Sequence, residues 1–289
     1  MNGDDVESEV AQYFSDLWRA IHSSERPQDL IDRIRDALDR KADTLARQQP
    51  TFIEGSFTVL SVAHQTESTL ILKVRHRDLG RSFAIKTMPE DQRGDASLEQ
   101  RLRREAEIGM ELRHPCLQEV SALLRLTDGR PGLLQPWAPI SLASRLSAEP
   151  PSAADIKHLL RRMVHAIAAV HAAGYVHCDI SPANILLSAD NLSSARLSDF
   201  GIALKIGERH ADIGVEVAGS PDYAAPEQLS DMPAHPHQDI YALGRLTQRL
   251  LDAGGIDDDE TLTRFAKTCA DGDAAKRPQS AGEALRILL

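Results

Sequence analysis

The stretch Tyr175-Val176-His177-Cys178-Asp179-Ile180-Ser181-Pro182-Ala183-Asn184-Ile185-Leu186-Leu187 decides how the rest of the chain is read. It sets a carboxylate at Asp179 and an amide at Asn184 just ahead of a short apolar run of strand character. Two further tripeptides follow in order, Asp199-Phe200-Gly201 and Ala225-Pro226-Glu227. Taken singly, Asp179 and Asn184 read as turn residues and Asp199-Phe200-Gly201 as a strand exit. Their joint occurrence in this order carries the reading instead.

Together the motifs place two acidic groups and an amide where phosphoryl transfer needs a base and magnesium ligands. Matching segments lie on both sides. Upstream stand Phe83-Ala84-Ile85-Lys86 and Arg103-Arg104-Glu105-Ala106-Glu107; downstream stand Gly219-Ser220-Pro221-Asp222-Tyr223-Ala224-Ala225-Pro226-Glu227, Asp239-Ile240-Tyr241-Ala242-Leu243-Gly244 and Lys276-Arg277-Pro278. On these residues the chain resembles the eukaryotic-like Ser/Thr protein kinases over about residues 50–289.

The resemblance implies an α+β, bilobal protein-kinase-like fold, with a small β-rich lobe over 50–135 and a larger helical lobe over 136–289. It implies an enzyme that uses ATP and magnesium to phosphorylate Ser or Thr of a protein substrate. Lys86 would contact the alpha and beta phosphates, and Glu105 would pair with it. Glu105 falls in line with Leu98, Leu102, Ile108 and Leu112 on the inner stripe of a helix, while Glu107 is the register-shifted competitor. Asp179 would orient the acceptor hydroxyl and take its proton; Asn184 and Asp199 would hold magnesium. Ala84 and Ile71 would line the nucleotide beside Lys86. Asp239 would anchor the catalytic-loop backbone, and Arg277 would pair with Glu227.

Several positions depart from the family pattern. The expected glycine-rich loop reads His64-Gln65-Thr66-Glu67-Ser68-Thr69, without a glycine to let backbone N–H groups approach phosphate. Ser181 stands where a lysine is usual, and Cys178 stands where an arginine commonly binds an activation-loop phosphate. Between Asp199 and Glu227 the only hydroxyl residues are Ser220 and Tyr223, so switching by phosphorylation of that segment is not expected. The segment from Gly244 to Arg277 is short and omits a helix used for substrate docking. These departures keep open a pseudokinase acting as a binding module, and Ser181-Pro182 keeps open a small-molecule kinase, against which the Gly219–Glu227 segment speaks.

Composition sets the outer bounds. With 289 residues and 42% hydrophobic content, the chain can bury two separate cores. Three widely spaced cysteines give neither a disulfide framework nor zinc spacing. The acidic start MNGDDVESEV lacks the features of a signal peptide, and the most apolar stretch, Leu159 to Val176, is broken by Arg161, Arg162, His165 and His171. A cytoplasmic protein is expected. A net charge of -10 argues against nucleic acid and anionic membrane as partners. Residues 1–49 carry two apolar stripes split at Ser23-Ser24-Glu25-Arg26-Pro27, the pattern of a helical hairpin that packs on the small lobe or docks a partner protein.

The remaining elements follow from periodicity. Alternation at Phe57, Val59, Leu70, Leu72, Val74, Phe83 and Ile85 predicts strands, with a turn at Asp78-Leu79-Gly80-Arg81. Ser97 with Gln100 predicts a capping box opening the helix of Glu105, which ends near His114-Pro115. Asp257-Asp258-Asp259-Glu260 predicts a solvated loop at a helix N-terminus.

Overall fold

In this computed structural model, residues 52–53, 55–215 and 219–289 are described. The helical hairpin expected over 1–49 lies outside them.

The alternating segment forms an antiparallel sheet of six strands in the order β1-β2-β3-β4-β6-β5. These are β1 (Phe52–Ile53), β2 (Phe57–Gln65), β3 (Leu70–His76), β4 (Ser82–Thr87), β5 (Ala122–Arg125) and β6 (Pro131–Pro136). Pleating sorts their side chains. Val74, Ile85 and Leu134 join Phe57 and Leu126 in one apolar cluster. Ile71, opposite Lys86, and Ala84, two residues from it, share the other face with Leu133. The turn at Asp78–Arg81 closes through His76 N–H donating to Arg81 O at 2.9 Å, with Gly80 at φ 66° where a side chain would be strained.

Helix α1 (Ala96–Glu111) packs Leu102 and Ala106 with Met88, Val120 and Leu133 of the sheet lobe. Its cap differs from the sequence expectation. Asp95 accepts from Ser97 N at 2.9 Å and Leu98 N at 3.0 Å, so the helix starts one residue ahead of Ser97. A carboxylate carries full charge onto the free N–H groups, which the Ser97 hydroxyl cannot match.

The second lobe comprises β7 (Ile140–Ser141), α2 (Leu142–Ala148), α3 (Ala153–Ala172), β8 (Tyr175–Val176), β9 (Ile185–Leu187), β10 (Ala195–Leu197), β11 (Leu204–Lys205), α4 (Pro226–Leu229), α5 (Pro236–Gly254), α6 (Glu260–Cys269) and α7 (Ala281–Ile287). Its core is the buried face of α3, from Ile156 to Val170, packed against Leu243, Leu246 and Leu250 of α5 and Phe265 of α6. Ser152 and Asp155 form a capping box on α3, and Asp259 caps α6 by accepting from Leu262 N at 3.0 Å, as the acidic run predicts. Between α5 and Arg277 stand α6 and a 3-10 turn at Ala274–Lys276.

Cys116, Cys178 and Cys269 are all buried and unpaired. Among the described residues no helix is long and apolar enough to cross a membrane.

Candidate active site

Strand β4 carries Lys86 at its last position but one, and α1 presents Glu105 to it. The Lys86 ammonium lies 2.8 Å from Glu105 Oε2 and 2.8 Å from Asp199 Oδ2. Glu107 is exposed instead, because two residues along a helix turn it about 200° away from the buried stripe. Burial drives the Glu105 carboxyl up to about 7 despite the attraction of Lys86. Burial acts on Asp199 too, but the Lys86 charge prevails and holds it below the usual carboxylate range. For Lys86, burial opposes the charged form, and the two carboxylates more than offset it, raising its pKa. One ammonium thus ties two carboxylates into a single cluster.

Asp179 sits in the loop after β8, and two residues hold its side chain. Its Oδ1 accepts from both Ser220 N and Ser220 Oγ at 3.0 Å. Its Oδ2 accepts from Asn184 Nδ2 at 2.7 Å, and the same amide nitrogen donates to Asp179 O at 2.9 Å. With its nitrogen so committed, the Asn184 amide oxygen faces no hydrogen-bond donor among the described residues. It is a hard oxygen of the kind that suits magnesium.

The loop itself hangs on Asp239 of α5. That carboxylate accepts from His177 N and Cys178 N, each at 2.9 Å, and from His171 Nε2 at 2.8 Å. Gln228 Nε2 donates to Cys178 O at 2.7 Å. Cys178 and Asp199 both adopt the left-handed region, with φ 66° and 69°, a conformation that costs a non-glycine residue about 1–2 kcal/mol. Such strain persists because the surrounding bonds fix it. His177 Nε2 pairs with Ser198 O at 3.0 Å, and its ring lies 5.2 Å from that of buried Phe200. These contacts join the Asp179 loop to the Asp199 turn.

The hairpin between β2 and β3 is closed on itself. Thr66 Oγ1 accepts from Ser68 N at 3.4 Å and Thr69 N at 3.1 Å, while Thr66 N donates to Thr69 O at 2.8 Å. The amides that a glycine-rich loop would present to phosphate are here engaged by a threonine side chain. Beside it, Ile71 and Ala84 share the Lys86 face of the sheet, which brings all three to one wall. Ser181 is buried and supplies no cation.

The sequence points to Lys86, Glu105, Asp179, Asn184 and Asp199, and the fold gathers them into the lysine cluster and the adjoining Asp179 loop. The sequence does not point to the grip of Ser220 on Asp179. The two lie 41 residues apart, and the available signal was only that Ser220 follows Gly219, whose φ of 83° lets the chain turn back toward Cys178.

Residues 66–279 match the family described as protein kinase domain. The chain is 29% identical over 239 residues to serine/threonine-protein kinase pkn2 of Myxococcus xanthus, covering 71% of this chain and 29% of that protein. It is 34% identical over 170 residues to serine/threonine-protein kinase PknK of Mycobacterium tuberculosis, covering 57% and 15%, and 31% identical over 173 residues to serine/threonine-protein kinase D2 of Rattus norvegicus, covering 59% and 19%. The matches thus span less than a third of the length of these curated relatives. With the family match running from the β2–β3 hairpin to Gln279 and the motif residues gathered in space as well as in order, the chain belongs to the protein kinase domain family.

Proposed function

We propose that this chain is an active, ATP- and magnesium-dependent protein kinase that phosphorylates Ser or Thr hydroxyls of a protein substrate in the cytoplasm. The observation that carries the reading is the Lys86–Glu105–Asp199 cluster, with one buried lysine drawn between two carboxylates. Phosphoryl transfer depends mainly on positioning and charge neutralisation, and this cluster is built for both.

In this reading Lys86, oriented by Glu105, binds the nucleotide phosphates, and Ile71 and Ala84 form the apolar wall of the base. Asp179, held by Ser220 and Asn184, would orient the acceptor hydroxyl and take up its proton as the new oxygen–phosphorus bond forms and the bond from the γ-phosphorus to the bridging oxygen breaks, ADP leaving with that oxygen. Asp199 and the free amide oxygen of Asn184 are the two hard donors that fit magnesium, which supplies charge neutralisation on the phosphates when bound. Two protein ligands agree with a metal that completes its shell from phosphate and water. No group of three or more His, Cys, Asp or Glu side chains suited to a metal occurs among the described residues.

The self-closed Thr66 hairpin and Ser181 favour a second reading, a pseudokinase that binds partners without turnover. Two measurements separate them. Thermal unfolding with ATP, with and without magnesium, is expected to show a magnesium-dependent rise that Asp199→Ala abolishes. Incubation with labelled ATP, magnesium and generic protein substrates is expected to give incorporation that Asp179→Ala removes. Equal incorporation by wild type and variant would refute the assignment of Asp179, and no shift at millimolar ATP would favour the pseudokinase.

A further inference from the structure

Two adjacent residues of helix α1, Arg104 and Glu105, leave it in different directions. Glu105 reaches Lys86. Arg104, about 100° around the helix, reaches the segment that follows Asp199. Its Nε donates to Ala203 O at 3.2 Å, and its guanidinium pairs with the Glu208 carboxylate. The two side chains are 22% and 26% exposed, so the pair is shielded from most solvent.

Glu208 is itself fixed. Its carboxylate accepts from Lys205 N at 2.9 Å, its own N–H donates to Lys205 O at 3.0 Å, and its carbonyl accepts from Ala234 N at 2.7 Å. Gly207, at φ 89°, makes the turn that presents the carboxylate to the helix. Below this turn Val176, Cys178, Ile202, Leu204, Val215 and Ala234 form a small apolar cluster. From Phe200 to Gly219 the sequence contains no Ser, Thr or Tyr. No covalently added phosphate on a hydroxyl can therefore supply negative charge to this segment, and Glu208 supplies it permanently.

We infer that Glu208 is a built-in counter-charge for Arg104, a pair of positioning residues that holds α1 in the register at which Glu105 meets Lys86, so that the site is assembled without modification. The inference deepens the kinase reading and rests on it for its consequence in catalysis. Apolar packing is less directional than a hydrogen-bonded ion pair, so it sets the rotation of the helix less sharply. A charged pair on the adjacent residue fixes the rotation.

The test is a double-mutant cycle with Arg104→Met, Glu208→Gln and the double variant of the full chain. Hydrogen exchange of the α1 amides and the Kd for ATP are the readouts, with the global unfolding midpoint as control. Each single variant is expected to speed exchange across Ala96–Glu111 by about fivefold and to weaken ATP by a similar factor. The double variant is expected to be no worse than either single one, because the pair acts as a unit. Unchanged exchange in the single variants, or effects that simply add, would overturn the inference. Failure of the wild type to bind or turn over ATP would instead refute the proposed function, and the exchange cycle would still decide whether the pair holds the helix.

Discussion

Glu227 of α4 and Arg277 lie 50 residues apart and meet through two hydrogen bonds of 2.6 and 3.1 Å. The arginine side chain is fully buried, stacks on the Tyr241 ring at 4.7 Å, and also donates to Asp271 O at 2.6 Å. Burial opposes ionisation of Glu227, but hydrogen bonds from His237 and Arg277 outweigh it and hold the carboxyl down at about 2. A depressed pKa adds stability above the ordinary carboxylate value, and that share is lost as the group protonates in the folded state. Glu227→Gln is therefore expected to cost about 3 kcal/mol at pH 7, since it strands a buried guanidinium. Urea midpoints measured against pH should show the gap between wild type and variant closing from about pH 4.5 toward 2. A gap that stays constant across that window would show that the pair contributes nothing through charge.

Asp239 supports the Asp179 loop from outside the candidate site. It satisfies two backbone donors of residues 177 and 178, both buried, and one of those residues is in a strained left-handed conformation. Asp239→Ala should orphan both N–H groups at about 1–3 kcal/mol each and let Cys178 relax out of φ 66°. Asp239→Asn keeps one acceptor and should fall between. The expected kinetic signature is a fall in kcat larger than any rise in KM for ATP, because Asp179 moves while Lys86 does not. A loss confined to KM for ATP would contradict this division of labour.

How much of this was legible in the sequence varies with the range of each contact. Strand alternation exposed β2, β3 and β4, and helical periodicity separated Glu105 from Glu107, because both patterns are local records of which face is buried. Cap choice was less legible: Ser97 and Asp95 both satisfy the local rule, and only the backbone path shows which residue stands outside the helix. Arg104–Glu208 and Ser220–Asp179 span 104 and 41 residues, and no periodicity encodes such a meeting. The missing glycines in the β2–β3 hairpin were plain to read, but the role of Thr66 in occupying two amides required coordinates.

That threonine gives a test of why the hairpin departs from the family. Thr66→Ala releases Ser68 N and Thr69 N from its hydroxyl and leaves the Thr66 N to Thr69 O bond in place. Two freed amides can then turn toward a bound phosphate. ATP is expected to bind about 3–10-fold tighter by calorimetry, the scale of roughly one net hydrogen bond, with little change in the unfolding midpoint. Weaker ATP binding would mean that the closed hairpin is the binding-competent form.

Gly109 shows where α1 comes closest to its neighbours. A Cβ at this position would lie 2.4 Å from Val120 Cγ2 and 3.6 Å from the Phe200 ring. On an isolated helix Gly→Ala gains about 1 kcal/mol, yet here Val120 is buried and β-branched, so it cannot swing aside without a new clash. Overpacking at about 1–3 kcal/mol should win, and the helix should shift to relieve it. Glu105, one turn earlier on the same helix, would move with it and draw away from Lys86. Gly109→Ala is thus expected to lower both the unfolding midpoint and ATP affinity. Adding Val120→Ala should restore much of each, because the new methyl group then fills the space that the valine methyl vacates. Restoration of stability without ATP affinity would separate helix packing from the Glu105–Lys86 contact and refute the link between them.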